Sequence, residues 1–470
     1  MTSALQLPRD LKEALPRQRW FAGKARRIED VRVIDRAGWA DDSELWLAEV
    51  TYADNGQPEA YLLVETVGGP ERLDHADLPG AVLTQFLARA TRPTAEGGSL
   101  SFRPTTALGT ISFQQTFPRQ LLTTEQSNSS IRFGDALIFK LFRRVQMGDN
   151  PEVEIGRFLT ERTSFTGTPA VTGSLEYCSA GGDTASLGLL QAFVPNHGDA
   201  WSRTLARLRR ALDDGDLQPA VAPIEQLGIV TAQLHLALAS DASDPAFAPD
   251  RIDAHDVAAW AEVLRGELAS TTAALAQAGI HAETARLLTR AGGLAALTGS
   301  AKTRHHGDYH LGQVLERTAG GFSIIDFEGE PSRPLAARRE KRSPLRDVAG
   351  MLRSLDYARH AALRASDTSR RERGRPGGEQ AAANPARPAA ERTAERTRLA
   401  DQWHAQAREA FLSSYVGTVS ASAPDLLPEP ERVQDALAAL ELEKAAYEVR
   451  YELGHRPDWL PIPLATLQLP

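Results

Sequence analysis

Short apolar runs that alternate with polar and turn-forming residues dominate the first two hundred residues. Runs of this kind, rich in β-branched and aromatic residues, predict strands bounded by turns. The turn residues Ala53–Gly56, for example, separate two such runs as in a hairpin. The predicted strands comprise residues 31–35, 45–50, 61–64, 129–133, 136–142 and 187–194.

From about residue 199 onward, apolar positions recur at the spacing typical of helices. One predicted helix carries an apolar face formed by Ile224, Leu227, Thr231, Leu234 and Leu238. An earlier helix is expected to begin at Asn150-Pro151, because asparagine caps helices and proline suits their first turn. A short apolar run at 322–327 predicts a strand that interrupts the helical part.

Two stretches differ from these elements in composition. Glycine and proline cluster near Gly97, Gly98 and Pro104, which indicates a domain boundary. Residues 366–396 contain no apolar side chain larger than alanine and are rich in Arg, Glu, Pro and Gly. Such a segment buries too little surface to offset its ordering entropy, so we expect a disordered surface insertion, with an Ala/Glu/Arg helix as an alternative for its second half.

Composition is that of a globular protein, with 42% hydrophobic and 24% charged residues. The 470 residues exceed one ordinary core, so two or three domains are expected. The net charge of −8 disfavours nucleic-acid binding, and apolar runs fall short of the roughly 18 residues of a membrane helix. Without an apolar signal region, and with Cys178 alone, we expect a cytoplasmic protein that has neither disulfides nor a multi-cysteine metal site.

Five polar residues in a fixed order carry the strongest chemical signal. Phosphoryl transfer from ATP needs positive charge at the phosphates, a metal ion and a base beside the acceptor hydroxyl. Lys140 lies inside an apolar strand and Glu154 on the next helix, as needed to contact the phosphates and hold the lysine. Asp308 precedes the amide Gln313 at the spacing of the protein-kinase catalytic loop. Asp326 follows a short strand, like the metal-binding aspartate of those enzymes, so Mg²⁺ and ATP are the predicted cofactors.

Each of these residues alone also has an ordinary structural explanation. A strand lysine such as Lys140 commonly extends its head into solvent, and Glu154 suits the first turn of a helix through the helix dipole. Asp308 and Asp326 are each compatible with a turn or a cap. Their order along one chain is what favours the shared chemistry.

The segment HGDYHLGQV at 306–314, followed by IDFEGEP at 325–331, resembles the maltokinases. These belong to the aminoglycoside-phosphotransferase-like branch of the protein-kinase-like fold. The resemblance extends over nearly the whole chain. Its further segments are residues 15–28, 126–144, 150–161, 189–201, 343–358 and 442–464.

The resemblance implies an α+β, bilobal protein-kinase-like fold. It divides the chain into a strand-rich cap domain at 1–98, an intermediate subdomain and ATP-binding N-lobe at 99–198, and a helical C-lobe at 199–470. The implied reaction is ATP plus maltose giving ADP and maltose 1-phosphate, within the route from trehalose to glycogen. Trehalose synthase, which supplies maltose, is the implied functional partner.

Residue roles follow from motif positions in the same resemblance. Asp308 would accept or orient the proton of the anomeric hydroxyl, and Gln313 and Asp326 would hold Mg²⁺. Lys140 would contact the ATP phosphates, and Glu154 would pair with Lys140.

Two segments complete the implied ATP site. No G-x-G-x-x-G loop is present, and the equivalent turn offers hydroxyls and backbone N–H groups at Ser127, Asn128 and Ser129 as phosphate ligands. The strand around Gln191 and Phe193 would offer backbone groups to adenine.

The sugar site is expected on the C-terminal helix. Lys444, Tyr447 and Tyr451 continue one face of that helix, either as the rim of a packed face or as ligands of sugar hydroxyls and apolar sugar faces. His310 is assigned to the substrate site or to the support of Asp308. Three residues are assigned to structure: His235 to the core, Asp347 to orienting the catalytic loop, and Trp201 to packing.

Two alternatives stay open. The acceptor could be another small sugar or an amino sugar such as glucosamine, for which Glu441, Glu443 or Glu448 would pair with the ammonium. The chain could also be a nucleotide-binding pseudokinase without activity, against which the retained Lys140 and Asp308 argue.

Overall fold

The computed structural model divides into two compact units, residues 1–195 and 196–470. This division lies three residues from the predicted start of the helical C-lobe at 199. The structure describes residues 11–40, 43–54, 56–66, 78–111, 119–122, 127–331, 333–373 and 389–468.

The first unit is built mainly from antiparallel strands. Its strands are β1 (Ile28–Ala40), β2 (Ser43–Tyr52), β3 (Glu59–Thr66), β4 (Thr91–Pro93), β5 (Ser99–Pro104), β6 (Arg119–Leu122), β7 (Asn128–Phe133), β8 (Leu137–Phe142), β9 (Arg144–Val145), β10 (Val171–Cys178) and β11 (Thr184–Ala192). Its helices are α1 (Leu11–Ala14), α2 (Leu78–Leu87) and α3 (Pro151–Arg162). They form a four-stranded sheet of order β1-β2-β3-β9 and a seven-stranded sheet of order β4-β5-β10-β11-β8-β7-β6.

The four-stranded sheet is buried on both faces. Because successive side chains of a strand point to opposite faces, β2 contributes to two separate cores. Leu45 and Leu47 belong to one apolar cluster, which also contains residues of the seven-stranded sheet. Trp46 and Ala48 belong to the other, together with apolar residues from the N-terminal segment such as Phe21. The two-sided burial explains why the predicted strands at 45–50 and 61–64 read as nearly continuous apolar runs.

The predicted boundary at residue 98 falls inside a hairpin. Strands β4 and β5 pair across it, with Thr91 opposite Ser101, so the change of sheet does not coincide with the glycine cluster. The β2–β3 hairpin predicted around Ala53–Gly56 is confirmed by its register, in which Val50 lies opposite Glu59.

The second unit is mainly helical. Its helices are α4 (Ala200–Asp214), α5 (Gln218–Leu238), α6 (Ala254–Gln277), α7 (Thr284–Ala291), α8 (Leu335–Arg338), α9 (Leu345–Arg373), α10 (Ala389–Ser422), α11 (Val433–His455) and α12 (Pro461–Leu467). Its strands are β12 (Asn196–Asp199), β13 (Asp250–Arg251), β14 (Ala301–Lys302), β15 (Val314–Arg317) and β16 (Phe322–Ile324). Strand β16 is shorter than the predicted 322–327 and ends before Asp326.

Helix α5 lies in the core of this unit. Its predicted apolar face, from Ile224 to Leu238, is buried as expected. By length and composition α5 is also the one helix among the described residues that could cross a membrane, but half of its apolar window is buried inside the structure. A buried helix of a globular core passes the same test.

The segment predicted to be disordered, 366–396, is helical at both described ends. Residues 366–373 continue α9 and residues 389–396 form the start of α10. The alternative of a helix in the second half agrees with α10. Residues 374–388 lie outside the described residues.

Candidate active site

The loop His306-Gly307-Asp308 is fixed by a buried carboxylate below it. Asp347, near the start of α9, accepts hydrogen bonds from the backbone N–H of His306 at 2.7 Å and of Gly307 at 2.9 Å. His235 on α5 contacts the same carboxylate at 3.1 Å. Burial opposes ionisation of Asp347, but the hydrogen bond with His235 and the nearby imidazoles of His305 and His306 lower the pKa of its carboxyl well below the usual range. Asp347 and His235 therefore take the supporting roles predicted for them.

Two glycines allow this loop to pack so closely. Gly307 has φ of 85°, a left-handed conformation that side chains disfavour. Gly350 on α9 lies against the loop, because a Cβ there would meet the carbonyl oxygen of Tyr309 at 2.6 Å. The phenol of Tyr309 in turn hydrogen-bonds Thr231 of α5 at 2.8 Å. The loop is thus held by two core helices.

Gln313 and Asp326 are brought together by the β15–β16 hairpin. The side-chain amide of Gln313 donates to Asp326 Oδ2 at 3.0 Å, and the N–H of Ile325 donates to the Gln313 carbonyl at 3.0 Å. Asp326 has φ of 67°, a left-handed conformation that is costly for a non-glycine residue and concentrates at functional sites. An amide oxygen and a carboxylate are the donors that Mg²⁺ prefers, so this pair fits the ion.

His306 connects the two segments. Its Nε2 lies 2.9 Å from the carbonyl oxygen of Ile325, next to Asp326, and its ring packs on that of Phe327. The histidine of the HGD motif therefore holds the loop of Asp308 and the turn of Asp326 at a fixed distance.

Lys444 of α11 bridges two carboxylates. Its ammonium lies 3.0 Å from Asp308 Oδ1 and 2.8 Å from Glu330 Oε1. Burial opposes the charge on Lys444, but the two acidic partners raise its pKa above the ordinary value. Burial likewise opposes ionisation of Glu330, but Lys444, Arg346 and Arg333 lower its pKa well below the ordinary value. Lys444 is thus held cationic beside the candidate base.

Asp308 and Lys444 open onto a cavity of about 490 Å³, a size typical of small-molecule sites. Its lining comes from one unit and combines carboxylates, cations and aromatic rings. The lining includes Asp199, Trp201, Asp308, His310, Glu330, Ser354, Tyr357, Lys444, Tyr447, Glu448, Tyr451, Glu452 and Arg456.

The face of α11 that carries Lys444 combines both predicted roles. Val433, Leu437 and Leu440 at its start are buried, as in a packed face. Tyr447 and Tyr451 at its end line the cavity, and their rings stack with centroids 6.4 Å apart. Packing thus accounts for the first half of the face and cavity lining for the second.

His310 also lines the cavity, and its Nδ1 accepts the backbone N–H of Gly312 at 3.0 Å. Burial is the main cause that lowers the pKa of its imidazole. The ring is therefore available in its neutral form beside the lysine and the candidate base.

The assignment of Trp201 to packing is wrong. Trp201 is partly exposed and lines the cavity, because Asp199 caps α4 through the Ser202 N–H and thereby places the tryptophan in the first turn at the cavity wall. The sequence offered no signal for this role beyond a tryptophan next to a helix cap.

In the first unit, the partner expected for Lys140 is also wrong. The ammonium of Lys140 lies 2.8 Å from Glu152, not Glu154 as predicted, and the side chains of this pair are about 95% buried. Asn150 caps α3 by accepting the Glu152 N–H at 2.8 Å, which starts the helix one residue before Glu152. Residues two apart lie on different helix faces, so Glu152 and Glu154 cannot share this role. Glu154 is only partly buried.

Strand register determines which residues of β7 share a face with Lys140. Ser130 lies directly opposite Lys140 in the β7–β8 pair, so Asn128 and Ser130 share the face of Lys140. Ser129 points to the other face, where its hydroxyl accepts the Nε–H of Arg143 at 2.8 Å. The period of two along a strand therefore places the side chain of Ser130 on the face of Lys140 and that of Ser129 on the other face.

The remaining ATP-site predictions lie in or next to strands β7 and β11. Ser127 is exposed and accepts a hydrogen bond from the Asn128 amide at 3.3 Å. Gln191 lies opposite Ile138 in the sheet. The N–H of Phe193 donates to the Ala136 carbonyl at 2.8 Å. That this strand offers backbone groups to adenine stays a prediction.

Several cavity residues were not predicted from the sequence. Glu448, named above only for an amino-sugar acceptor, lies four residues after Lys444, and helical spacing could also have identified Glu452, four residues further on. Glu330 belongs to the IDFEGEP segment, so the motif could have identified it as well. Tyr357 and Arg456 had no local signal, since only tertiary packing places them there.

Comparison with known proteins identifies relatives over most of the chain. Residues 15–91 match the maltokinase N-terminal cap domain family. A glucosamine kinase of Streptacidiphilus jiangxiensis is 28% identical over 353 residues, which cover 74% of this chain and 72% of the relative. A glucosamine kinase of Mycolicibacterium smegmatis is 28% identical over 352 residues, covering 74% and 78%.

Solved structures resemble the chain over almost its full length. A glucosamine kinase in its crystal form B superposes with a TM-score of 0.69 at 22% identity, covering 98% of this chain and 99% of that one. A glucosamine kinase in complex with glucosamine, ADP and inorganic phosphate gives a TM-score of 0.67 at 21% identity, with coverage of 98% and 100%. The chain therefore has the protein-kinase-like fold, with a strand-rich N-terminal region and a helical C-terminal part.

Proposed function

We propose that this protein is an ATP-dependent sugar kinase that phosphorylates maltose at its anomeric hydroxyl, giving maltose 1-phosphate and ADP. The observation that carries the proposal is the rigid loop of Asp308 at the wall of a cavity lined by aromatic rings and hydrogen-bonding groups. The match of residues 15–91 to maltokinase cap domains supports maltose as the acceptor.

Asp308 acts as the base at the acceptor. Its carboxylate accepts, or orients, the proton of the attacking hydroxyl, and Lys444 positions that carboxylate through their ion pair. Tyr447, Tyr451 and Trp201 give the apolar faces of a sugar ring a surface to pack on.

Charge on the nucleotide is handled by other groups. Lys140, held by Glu152, would contact the ATP phosphates. Gln313 and Asp326 would hold Mg²⁺, which when bound neutralises phosphate charge. The left-handed turn at Asp326 and the contact of His306 with Ile325 keep Gln313 and Asp326 in place in the absence of a ligand.

The state of the carboxylates favours a neutral acceptor. Asp308 and Glu330 already share Lys444, and Glu448 is paired with Arg353 at 2.8 Å. Because these acids have cationic partners within the chain, a substrate ammonium would have to displace one of them. Maltose needs no such displacement.

Glucosamine is the second candidate, because the relatives that match 74% of the chain are glucosamine kinases. Of the three acidic residues expected for an amino-sugar site, only Glu448 is among the cavity lining. Glu441 is paired with Arg408, and Glu443 with Arg346 and Arg333.

A panel of acceptors tests the proposal. Purified protein with ATP and Mg²⁺ is expected to release ADP with maltose and to form an acid-labile glycosyl phosphate. Release with glucosamine but not maltose would retain the kinase and replace the acceptor. Nucleotide binding without ADP release for any sugar would identify a pseudokinase.

The cellular setting follows from the same proposal. A maltose kinase would act in the cytoplasm, where ATP is available, and after an enzyme that makes maltose, such as trehalose synthase. Formation of maltose 1-phosphate from trehalose by the two purified enzymes together, and not by either alone, tests this link.

A further inference from the structure

We propose that Lys444 determines the charge of the acceptor: its ammonium occupies the cation position beside the base, so the site selects sugars that carry no positive charge there. The inference rests on the proposed sugar kinase function and deepens it. It assigns to one residue the discrimination between neutral sugars and amino sugars.

The ammonium of Lys444 lies where the ammonium of an amino sugar would bind. Lys444 lies between Asp308 and Glu330, with both carboxylates within 3.0 Å, and all three residues line the cavity. Two carboxylates around one amine form the arrangement that a substrate ammonium would require. In glucosamine the amine sits on the carbon next to the anomeric carbon, so an anomeric hydroxyl at Asp308 would bring that amine to this position.

The charges around the Lys444 ammonium are balanced within the chain. Glu330 is also contacted by Arg333 at 2.6 Å and Arg346 at 3.8 Å, and Glu443 contacts both arginines at 3.3 and 3.2 Å. Asp308, Glu330 and Glu443 thus balance the charges of Lys444 and the two arginines. A further ammonium would add an excess positive charge to a partly buried, neutral cluster, which is repulsive in such surroundings.

The other carboxylates of the cavity also have partners within the chain. Glu448 is held by Arg353, which is fully buried, and Glu452 pairs with Arg456 at 2.6 Å and accepts the phenol of Tyr357 at 3.1 Å. Asp199 accepts the Ser202 N–H as a helix cap. An amino sugar bound in another orientation would therefore also meet acids that already have partners.

Replacing the cation should reverse the preference. Lys444→Met keeps an unbranched side chain but leaves Asp308 and Glu330 without the ammonium between them, so a sugar ammonium gains two carboxylate partners. The ratio of kcat/KM for glucosamine to that for glucose is expected to rise by roughly tenfold or more, the range of a charge-assisted hydrogen bond. Lys444→Arg retains the charge and should leave the ratio low.

Glucose and glucosamine form a matched pair, because they differ only in the hydroxyl or ammonium at one carbon. N-acetylglucosamine, which is neutral, should not gain in Lys444→Met, and this separates charge from a simple increase in space. Equal losses for glucose and glucosamine, or equal gains for N-acetylglucosamine and glucosamine, would overturn the inference.

The wild-type enzyme provides a test that needs no variant. Raising the pH neutralises the amine of glucosamine, so the glucosamine-to-glucose ratio should rise with pH. A wild-type ratio that falls with pH, or a preference for glucosamine at neutral pH, would contradict the role of Lys444. If no sugar supports ADP release, the proposed function itself fails, and this result is distinct from an unchanged ratio in an active enzyme.

Discussion

The ammonium of Lys140 on β8 pairs with the carboxylate of Glu152, the second residue of α3, at 2.8 Å. Both side chains are buried, and the acid lies in the first helical turn, immediately after the Asn150 cap. The cap fixes where α3 starts and therefore which acid faces the strand. A buried ion pair is costly to break, because removal of one partner leaves the other charge poorly compensated.

Glu152→Gln is expected to lower kcat/KM for ATP by roughly 10- to 100-fold, since it removes a charge-assisted contact that holds Lys140 in place. Glu154→Gln is the matched control, because that residue is partly exposed and on another face of α3. Steady-state ADP release at varied ATP measures both. Equal losses in the two variants would contradict the assignment of the pair to Glu152.

Asp308→Asn should lower kcat by about 10² to 10⁴, the range for loss of a general base, while the affinity for ATP stays within a few-fold of wild type. The loop should keep its shape, because Asp347 binds the backbone of His306 and Gly307 and not the side chain of Asp308. Turnover and calorimetric titration with ATP separate the two effects. A variant as active as wild type would remove Asp308 from the chemistry.

Most of the fold could be predicted from the sequence because its elements have clear local patterns. The apolar runs bounded by a turn in β7 and β8 predict strands, and the helical spacing of apolar residues predicts α5. The glycine cluster near residue 98 lies within the β4–β5 hairpin, and a hairpin turn within one sheet is indistinguishable in composition from a linker. At 389–396 the alternative of an Ala/Glu/Arg helix agrees with α10, because polar, alanine-rich sequence also forms helices.

The sequence motifs predicted which segments form the candidate site, but not which side chains of those segments face it. Asp308, Gln313 and Asp326 belong to two short segments whose spacing carries the signal, and the structure joins Gln313 to Asp326. The choice between Glu152 and Glu154 depends on which of two acids, two residues apart, faces the strand, and the sequence leaves this open. Trp201 reaches the cavity through tertiary packing, for which the chain has no local pattern.

Asp326→Asn should raise the Mg²⁺ concentration needed for half-maximal activity by roughly tenfold, because one anionic donor becomes neutral. Gln313→Glu provides the opposite change, adding a carboxylate beside Asp326, and should alter the metal requirement without removing it. Activity measured across a Mg²⁺ series at fixed ATP tests both variants. An unchanged Mg²⁺ requirement in Asp326→Asn would exclude this residue as a ligand.

A buried histidine next to the loop of Asp308 predicts how stability depends on pH. His305 is 4% exposed, and within the described part of the chain both ring nitrogens lack a hydrogen-bond partner. Burial is the main cause that lowers the pKa of His305 to about 3, and Arg346, Arg342 and Arg304 lower it further, while Asp347 acts in the opposite direction. The folded protein therefore holds this imidazole neutral at any pH above about 3.

The sign of the effect follows from proton binding. In the unfolded chain the imidazole takes up a proton below a pH of about 6.5, whereas in the folded protein it does so only below about 3. Between these values the unfolded state binds more protons, so the free energy of unfolding falls as the pH falls through this window. His305→Leu should reduce the loss of unfolding free energy between pH 7.5 and pH 5 by about 2 kcal/mol, measured by urea unfolding. The same substitution at the exposed His281 should leave the pH dependence as in wild type, and a His305→Leu profile parallel to that of wild type would show that His305 does not set it.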